Sequence, residues 1–247
     1  MPHVDGPRVA LVLLAAGDGR RAGHDTNKVL LPLAGRRVFT YAARWALTVP
    51  GIVRVVLVIR ESDRAVVEAT LPRELPGTDV ALVVGGTSRH ESEHRALQAL
   101  SGDIEAGDVD VVAIHDAARP LAGGDLFHDV IVAAHAHGGA LPVCDQPALV
   151  SIDGEAVEGR RTVAVQTPQA FLAEPLLSAY TLAAAEGFVG TDTASCVERF
   201  TDIRVRCVPG DAANVKITYP EDLFLAERLL AKAGWDLSSA VGAEGTP

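Results

Sequence analysis

The chain has 247 residues, 48% of them hydrophobic, a mean hydropathy of +0.21 and a formal net charge of −10, from 22 Lys and Arg against 32 Asp and Glu. That is enough for one compact α/β domain with a sizeable core, and two domains are not required. The acidic balance argues against bulk binding to nucleic acid or to an anionic membrane, so any recognition of phosphate has to come from a local basic cluster. Cys144, Cys196 and Cys207 show no close pairing, and an odd count suits reduced thiols in a cytoplasm. The apolar runs are strand-sized and the opening residues MPHVDGPR lack the apolar stretch of a signal peptide, so a cytoplasmic protein is expected.

In chain order, β-branched runs recur: RVALVLLA from Arg8, IVRVVLVI at 52–59, VALVV at 80–84, VDVVAIH at 109–115 and IRVRCV at 203–208. Helix-like segments lie between most of them, at Val38–Leu47, Arg64–Thr70, Ser88–Leu100 and Leu126–His137. Unbroken apolar strands alternating with helices predict a doubly wound, mostly parallel, Rossmann-like α/β sheet buried on both faces. Ligands of such sheets sit at the carboxyl ends of the strands. The stretch 143–165 breaks the alternation with turn formers and short β-like pieces, which reads as a protruding β-arm used for dimerisation. TYPEDL signals a terminal helix, so a single domain is expected over 8–233, with frayed ends at 1–7 and 234–247.

Gly17, Gly19 and Ala22 stand at the spacing G-x-G-x-x-A of the dinucleotide fingerprint. That fingerprint needs a helix starting at the glycines and an acidic residue about 20 residues on. Arg20 to Gly35 has no helical period, and the next strand ends at Glu61, too far away. The glycines therefore open a long loop. From Gly17 to Arg37 it carries Arg20, Arg21, Lys28, Arg36 and Arg37 against Asp18 and Asp25, which suits a polyphosphate approached by backbone N–H groups and neutralised by cations. The chain uses nineteen arginines and three lysines, Lys28, Lys216 and Lys232. A lysine in so arginine-rich a chain suggests a place for a compact ammonium, and Lys28 lies in the glycine loop while Lys216 lies in ANVKIT.

IHDAARP, 114–120, ends a buried strand, so Asp116 and Arg119 are expected at the carboxyl edge beside the glycine loop. There an aspartate can hold a hydroxyl or a hydrated Mg²⁺, and Arg119 can fork onto a phosphate. HESEH, 90–94, matches the zinc-hydrolase pattern H-E-x-x-H. Ser88 and Glu91, however, read as an S-x-x-E capping box that places His90 in the first turn of a helix, so both histidines are expected at the surface. His128, His135 and His137 decorate a helix.

LAAGDGRRAG with Lys28, then VGGTSRHES, IHDAARP, QTPQAF, GTDTAS and NVKIT, occur in the order found in the 2-C-methyl-D-erythritol 4-phosphate cytidylyltransferases, and over about 8–231 the chain resembles that family. The resemblance implies a nucleotidyltransferase fold and a homodimer. It also implies a reaction in which a polyol phosphate attacks the α-phosphorus of CTP, Mg²⁺ neutralises the triphosphate and pyrophosphate leaves. By position it implies that Arg21 and Lys28 stabilise the pentacoordinate transition state and that Lys216 holds the attacking phosphate in line. Ala15, Ala16, Gly17, Gly19, Gly86, Ser92 and Ala117 fall to the cytidine and triphosphate pocket; Asp116, Arg119, Thr167 and Thr191 fall to the polyol-phosphate pocket, with Asp116 a candidate Mg²⁺ ligand.

The chain departs from the family on the arm. Where the family has a D-T-x-K turn, this sequence has Asp145, Gln146, Pro147 and Ala148, and the arm arginine lent across the dimer has no aligned match, although Arg160 and Arg161 lie close by. Val29 follows Lys28, where the family tends to have Gln or Ala. These changes leave the triphosphate machinery intact, so a different acceptor such as ribitol 5-phosphate is the alternative reading. A non-catalytic, nucleotide-binding dimer is the alternative of another class.

Overall fold

The computed structural model describes residues 6–17, 27–146 and 162–233. The frayed start anticipated at 1–7 falls largely outside them, as do the tail from 234 and the tip of the arm. Seven strands make the main path of one sheet: β1 (Val9–Leu14), β4 (Ile52–Ile59), β5 (Ala81–Val84), β6 (Val111–Asp116), β7 (Gly139–Asp145), β9 (Gln169–Leu172) and β10 (Arg206–Pro209), in the order β10-β7-β9-β6-β1-β4-β5. Only β9 runs against the others on that path, pairing antiparallel with both β6 and β7. The mostly parallel sheet expected from the apolar runs is therefore present, and the run at 52–59 is matched end to end.

Alternation along β1 shows why the sheet is wound on both sides. Val9, Leu11 and Leu13 enter one core with α1 (Val38–Ala46), α2 (Arg64–Glu74) and α4 (Gly124–His137). Ala10 and Val12 enter the other with α3 (Arg89–Glu105), α5 (Ala173–Glu186) and α6 (Thr193–Phe200). Since successive strand residues face opposite ways, a strand apolar at every position needs both layers. A third cluster packs Ala226 and Leu230 of α7 (Pro220–Ala233) on Tyr41 and Leu33, which lies on the two-residue strand β2 (Pro32–Leu33). That strand pairs with β3 (Arg36–Arg37), so the second half of the expected long loop is in fact a small hairpin preceded by a 3₁₀ turn, Lys28–Leu30.

The segment β9-α5-α6 is not marked in the sequence as clearly. QAFL is four residues long, and Pro175 punctuates α5. Pro175 lies in the first helical turn, where its missing N–H has no intrahelical partner to lose. Gly187 ends that helix in the left-handed region, φ +67°, which glycine adopts without penalty. The base of the arm is a hairpin: β8 (Val163–Val165) pairs antiparallel with β7, Val165 opposite Val143. Among the described residues no helix is long and apolar enough to cross a membrane.

Candidate active site

β1 and β6 are parallel and in register to their last residues, Leu14 opposite Asp116. The two segments leave the sheet side by side, joined by Ala117 N–H to the Leu14 carbonyl (3.1 Å), while Ala15 N–H ties the end of β1 to the Val58 carbonyl of β4 (2.8 Å). Above this carboxyl edge lies a cavity of about 580 Å³, whose lining includes Ala16, Gly17, Lys28, Gly86, Ser92, Asp116 and Lys216. Residues 200 positions apart in the chain, Ala16 and Lys216, thus meet where an open α/β sheet binds its ligands.

One side of the cavity is made of backbone at close quarters. A Cβ on Gly85 would stand 2.4 Å from the Cβ of Ala16, and one on Gly86 would overlap the side chain of Glu91. The Ser92 hydroxyl accepts from Gly86 N–H (3.0 Å) and donates to the Ser88 carbonyl (2.9 Å), fixing this turn. Ser88 caps α3 by accepting from Glu91 N–H (3.0 Å). Only half of the expected capping box forms, because the Glu91 carboxylate instead accepts from Thr87, N–H at 2.7 Å and hydroxyl at 2.8 Å. The far end of the glycine loop is anchored by buried Asn27, whose amide donates to the Ala15 carbonyl (2.7 Å) and to Asp63 (2.8 Å). Lys28 follows directly, opening its 3₁₀ turn.

The other side is a cluster of charges. Asp116 receives Lys216 Nζ at 2.7 Å, Arg89 Nε at 3.5 Å and Arg119 Nε at 3.8 Å. Burial by itself would raise the Asp116 pKa, but Lys216, Arg89 and Arg119 outweigh it and hold the carboxyl well below the usual range. Lys216 is carried by a segment pinned on both sides: Asn214 donates to the Thr167 carbonyl (2.9 Å), the Asn214 carbonyl accepts from Arg119 (2.7 Å), and Ile217 N–H donates to the Ala118 carbonyl (2.8 Å). Beneath Asp116, fully buried His115 links Thr167 Oγ1 (3.0 Å from Nδ1) to the Arg119 carbonyl (3.0 Å from Nε2). A carbonyl only accepts, so Nε2 carries the proton and Nδ1 accepts from Thr167, whose oxygen in turn accepts Asp116 N–H (3.1 Å). Burial lowers the His115 pKa to about 4, in keeping with a neutral ring.

The structure brings together Ala16, Gly17, Lys28, Gly86, Ser92, Asp116 and Lys216, with Ala15 and Ala117 flanking them on the strand ends and Arg119 and Thr167 directly behind Asp116. Thr191 does not line the cavity: it is exposed ahead of α6, its N–H donating to Ser195 Oγ (3.1 Å). Gly19, Arg21 and Arg160 lie outside the described residues. Asp116 does not suit the metal-ligand role, because its two oxygens already face three cations, and no cluster of three or more His, Cys, Asp or Glu able to hold a metal occurs among the described residues. His90, expected at the surface, is buried and stacked on Tyr180 with ring centroids 4.6 Å apart; the apolar face formed by α5 covers it. This leaves HESEH as a helix-packing element.

A family model described as IspD, 2-C-methyl-D-erythritol 4-phosphate cytidylyltransferase, matches residues 9–232. The chain belongs to this cytidylyltransferase family. It is 37% identical over 239 residues to the 2-C-methyl-D-erythritol 4-phosphate cytidylyltransferase of Solibacter usitatus, covering 90% of this chain and 96% of that one. It is 40% identical over 229 residues to the same enzyme of Cereibacter sphaeroides, covering 91% and 97%. Among solved structures, the 4-diphosphocytidyl-2C-methyl-D-erythritol synthase of Anaerococcus prevotii superposes with a TM-score of 0.77 at 27% identity, over 92% of this chain and all of that one. The Thermus thermophilus cytidylyltransferase gives 0.65 at 27%, over 89% and 98%.

Four residues of this cytidylyltransferase site were not singled out from the sequence: Asn27, His115, Asn214 and Arg89. Asn27 and Asn214 each stand within two residues of a lysine of interest. Arg89 carries a stronger signal, since a cation in the first turn of a helix opposes the helix dipole and asks for a local anion.

Proposed function

We propose that this chain transfers the cytidylyl group of CTP to 2-C-methyl-D-erythritol 4-phosphate in the non-mevalonate isoprenoid pathway. The observation that carries the reading is the convergence of both candidate lysines and the two glycine turns on one cavity, in a chain that matches the family over almost its whole length. A phosphate oxygen of the acceptor attacks the α-phosphorus of CTP; a new P–O bond forms, the bond to the β-phosphate bridging oxygen breaks, and pyrophosphate leaves with that electron pair. Chemistry of this kind depends on positioning and on stabilising charge.

Lys28, with Arg21, neutralises the equatorial oxygens of the transition state, while the close-approach turn at Gly85 and Gly86 admits the nucleotide to backbone range. Lys216 holds the acceptor phosphate in line. Asp116 does not repel that dianion, because three cations surround it. Asp116, Arg119 and Thr167 form the polyol side. Asp116 is already engaged by three cations, so no residue of the described site is assigned to Mg²⁺, which when bound would supply neutralisation of the triphosphate charge. The protein acts in the cytoplasm as a homodimer joined through the β7–β8 arm, with Arg160 entering the partner's acceptor pocket.

The test is identification of products from CTP, Mg²⁺ and methylerythritol phosphate beside ribitol phosphate and glycerol phosphate. Stoichiometric pyrophosphate and a cytidine diphospho-methylerythritol product are expected, with slower turnover of the other two. Preference for another acceptor contradicts the assignment of substrate, and binding of CTP without pyrophosphate release contradicts the assignment of reaction.

A further inference from the structure

Behind Asp116 a fully buried carboxylate has no part in the transfer just described. Glu93 is 0% exposed, one turn along α3 from Arg89. Three donors from three elements converge on it: Arg89 Nη1 at 2.5 Å and the Thr193 hydroxyl at 2.6 Å, both on Oε1, and the Tyr180 hydroxyl at 2.5 Å on Oε2. Thr193 opens α6 and Tyr180 lies in the middle of α5, both fully buried. Burial raises the Glu93 pKa while Arg89 opposes the rise. A carboxylate so placed costs desolvation energy that an apolar residue would not, and a hydrophobic replacement of such a pair is often neutral or stabilising. Stability alone therefore does not account for it.

The geometry of Arg89 supplies another account. Its guanidinium bridges Glu93 and the site: Nη1 reaches Glu93 and, at 3.4 Å, Thr193, while Nε reaches Asp116 at 3.5 Å. A long arginine at the mouth of a helix has several accessible rotamers and loses entropy when held in one. Glu93, itself immobilised by Tyr180 and Thr193, selects the rotamer that aims Nε at Asp116. Asp116 in turn receives Lys216 at 2.7 Å. The charged groups facing this chain of contacts are Lys216 and Arg119 on the site side, with Asp192 and the Cys196 thiol on the α6 side.

We infer that Glu93 and Arg89 are positioning residues for the acceptor half of the site, a buried carboxylate locking an arginine that orients Asp116 and, through it, the Lys216 ammonium. The inference rests on the cytidylyl transfer proposed above. It predicts an effect confined to one substrate: Arg89 rises from the turn that Gly86 and Ser92 tie, but its polar partners are Asp116, Glu93 and Thr193, so its side chain is committed to the Asp116 side of the cavity.

Steady-state kinetics on the full chain with CTP and methylerythritol phosphate test this, reading the two KM values separately. Glu93→Gln is expected to raise KM for methylerythritol phosphate about tenfold and to leave KM for CTP within about twofold. The double substitution Arg89→Met with Glu93→Leu replaces the pair by apolar groups; it is expected to unfold at or above the wild-type temperature and still to show the raised acceptor KM. A purely structural pair would give activity that follows stability, so a double variant as stable as wild type with an unchanged acceptor KM overturns the inference. An equal rise in both KM values, in either variant, also overturns it. The wild type separates the two levels: if it fails to turn over methylerythritol phosphate, the functional reading falls and takes this inference with it, whereas a normal wild type with silent variants removes the inference alone.

Discussion

The two halves of the cavity are built by different means. On the Gly85–Gly86 side glycine backbone packs closely against side chains, which matter mainly by being small or by tying turns together: Ala16 beside Gly85, Ser92 across the turn, Asn27 closing the loop. On the Asp116 side the backbone only supplies positions, and the site is a set of charges drawn from α3, β6, the turn after β6 and the segment before α7. A backbone site can be written in a few consecutive residues. A charge site has to be assembled from residues that only the fold brings together, and it depends on each member to keep the others in place.

The largest expected effect divides the halves at the lysines. Lys28→Ala is expected to lower kcat by about 10² or more with normal folding and little change in acceptor KM, since removing a charge that stabilises the transition state costs several kcal/mol. Wild-type turnover in that variant would remove Lys28 from the chemistry.

Next in size is a pH effect that belongs to the Asp116 side. His115 has a folded pKa of about 4, below its ordinary 6.5, so between those values the unfolded chain binds the extra proton. Stability from this group is complete above about pH 6.5 and declines as pH falls toward 4, by up to about 3 kcal/mol. His115→Gln keeps a donor and an acceptor without titrating, and thermal unfolding between pH 7 and 4.5 should show a flatter slope than wild type. Parallel slopes would show that His115 does not couple the site to pH. Smaller still is Gly85→Ala: the added methyl meets Ala16 and Ser92 at the backbone side. Such overpacking costs about 1–3 kcal/mol. It should appear as a lower unfolding temperature and a raised KM for CTP, with the acceptor KM spared. A rise in both would mean that the halves are not separable.

The same contrast governs what could be read from the sequence. The strands of the parallel sheet were legible because burial on both faces leaves unbroken apolar runs, and the run 52–59 became β4 without change. Rejecting the dinucleotide fingerprint was sound from Lys28 onward, where a 3₁₀ turn and a hairpin take the place of a long helix. β9, α5 and α6 were not legible, since a four-residue strand and a helix carrying Pro175 give weak periodic signals. HESEH misled about exposure: periodicity on α3 says which residues share a face, but not that α5 and Tyr180 cover it. Asp116, Arg119 and Lys216 were found from motifs, yet their mutual contact, and with it the poor fit of Asp116 to a metal, appears only when position 116 meets position 216. Glu93 gave no signal, because a glutamate in an amphipathic helix reads as a solvated residue until α5 and α6 are seen to enclose it.

The most direct test of the central claim is pyrophosphate release from CTP and methylerythritol phosphate by the wild type and by Lys216→Ala in parallel. Rapid release by the wild type is expected, with a variant that binds CTP normally while releasing pyrophosphate about 10²-fold more slowly. No release by the wild type, or equal rates from the two proteins, would contradict that claim.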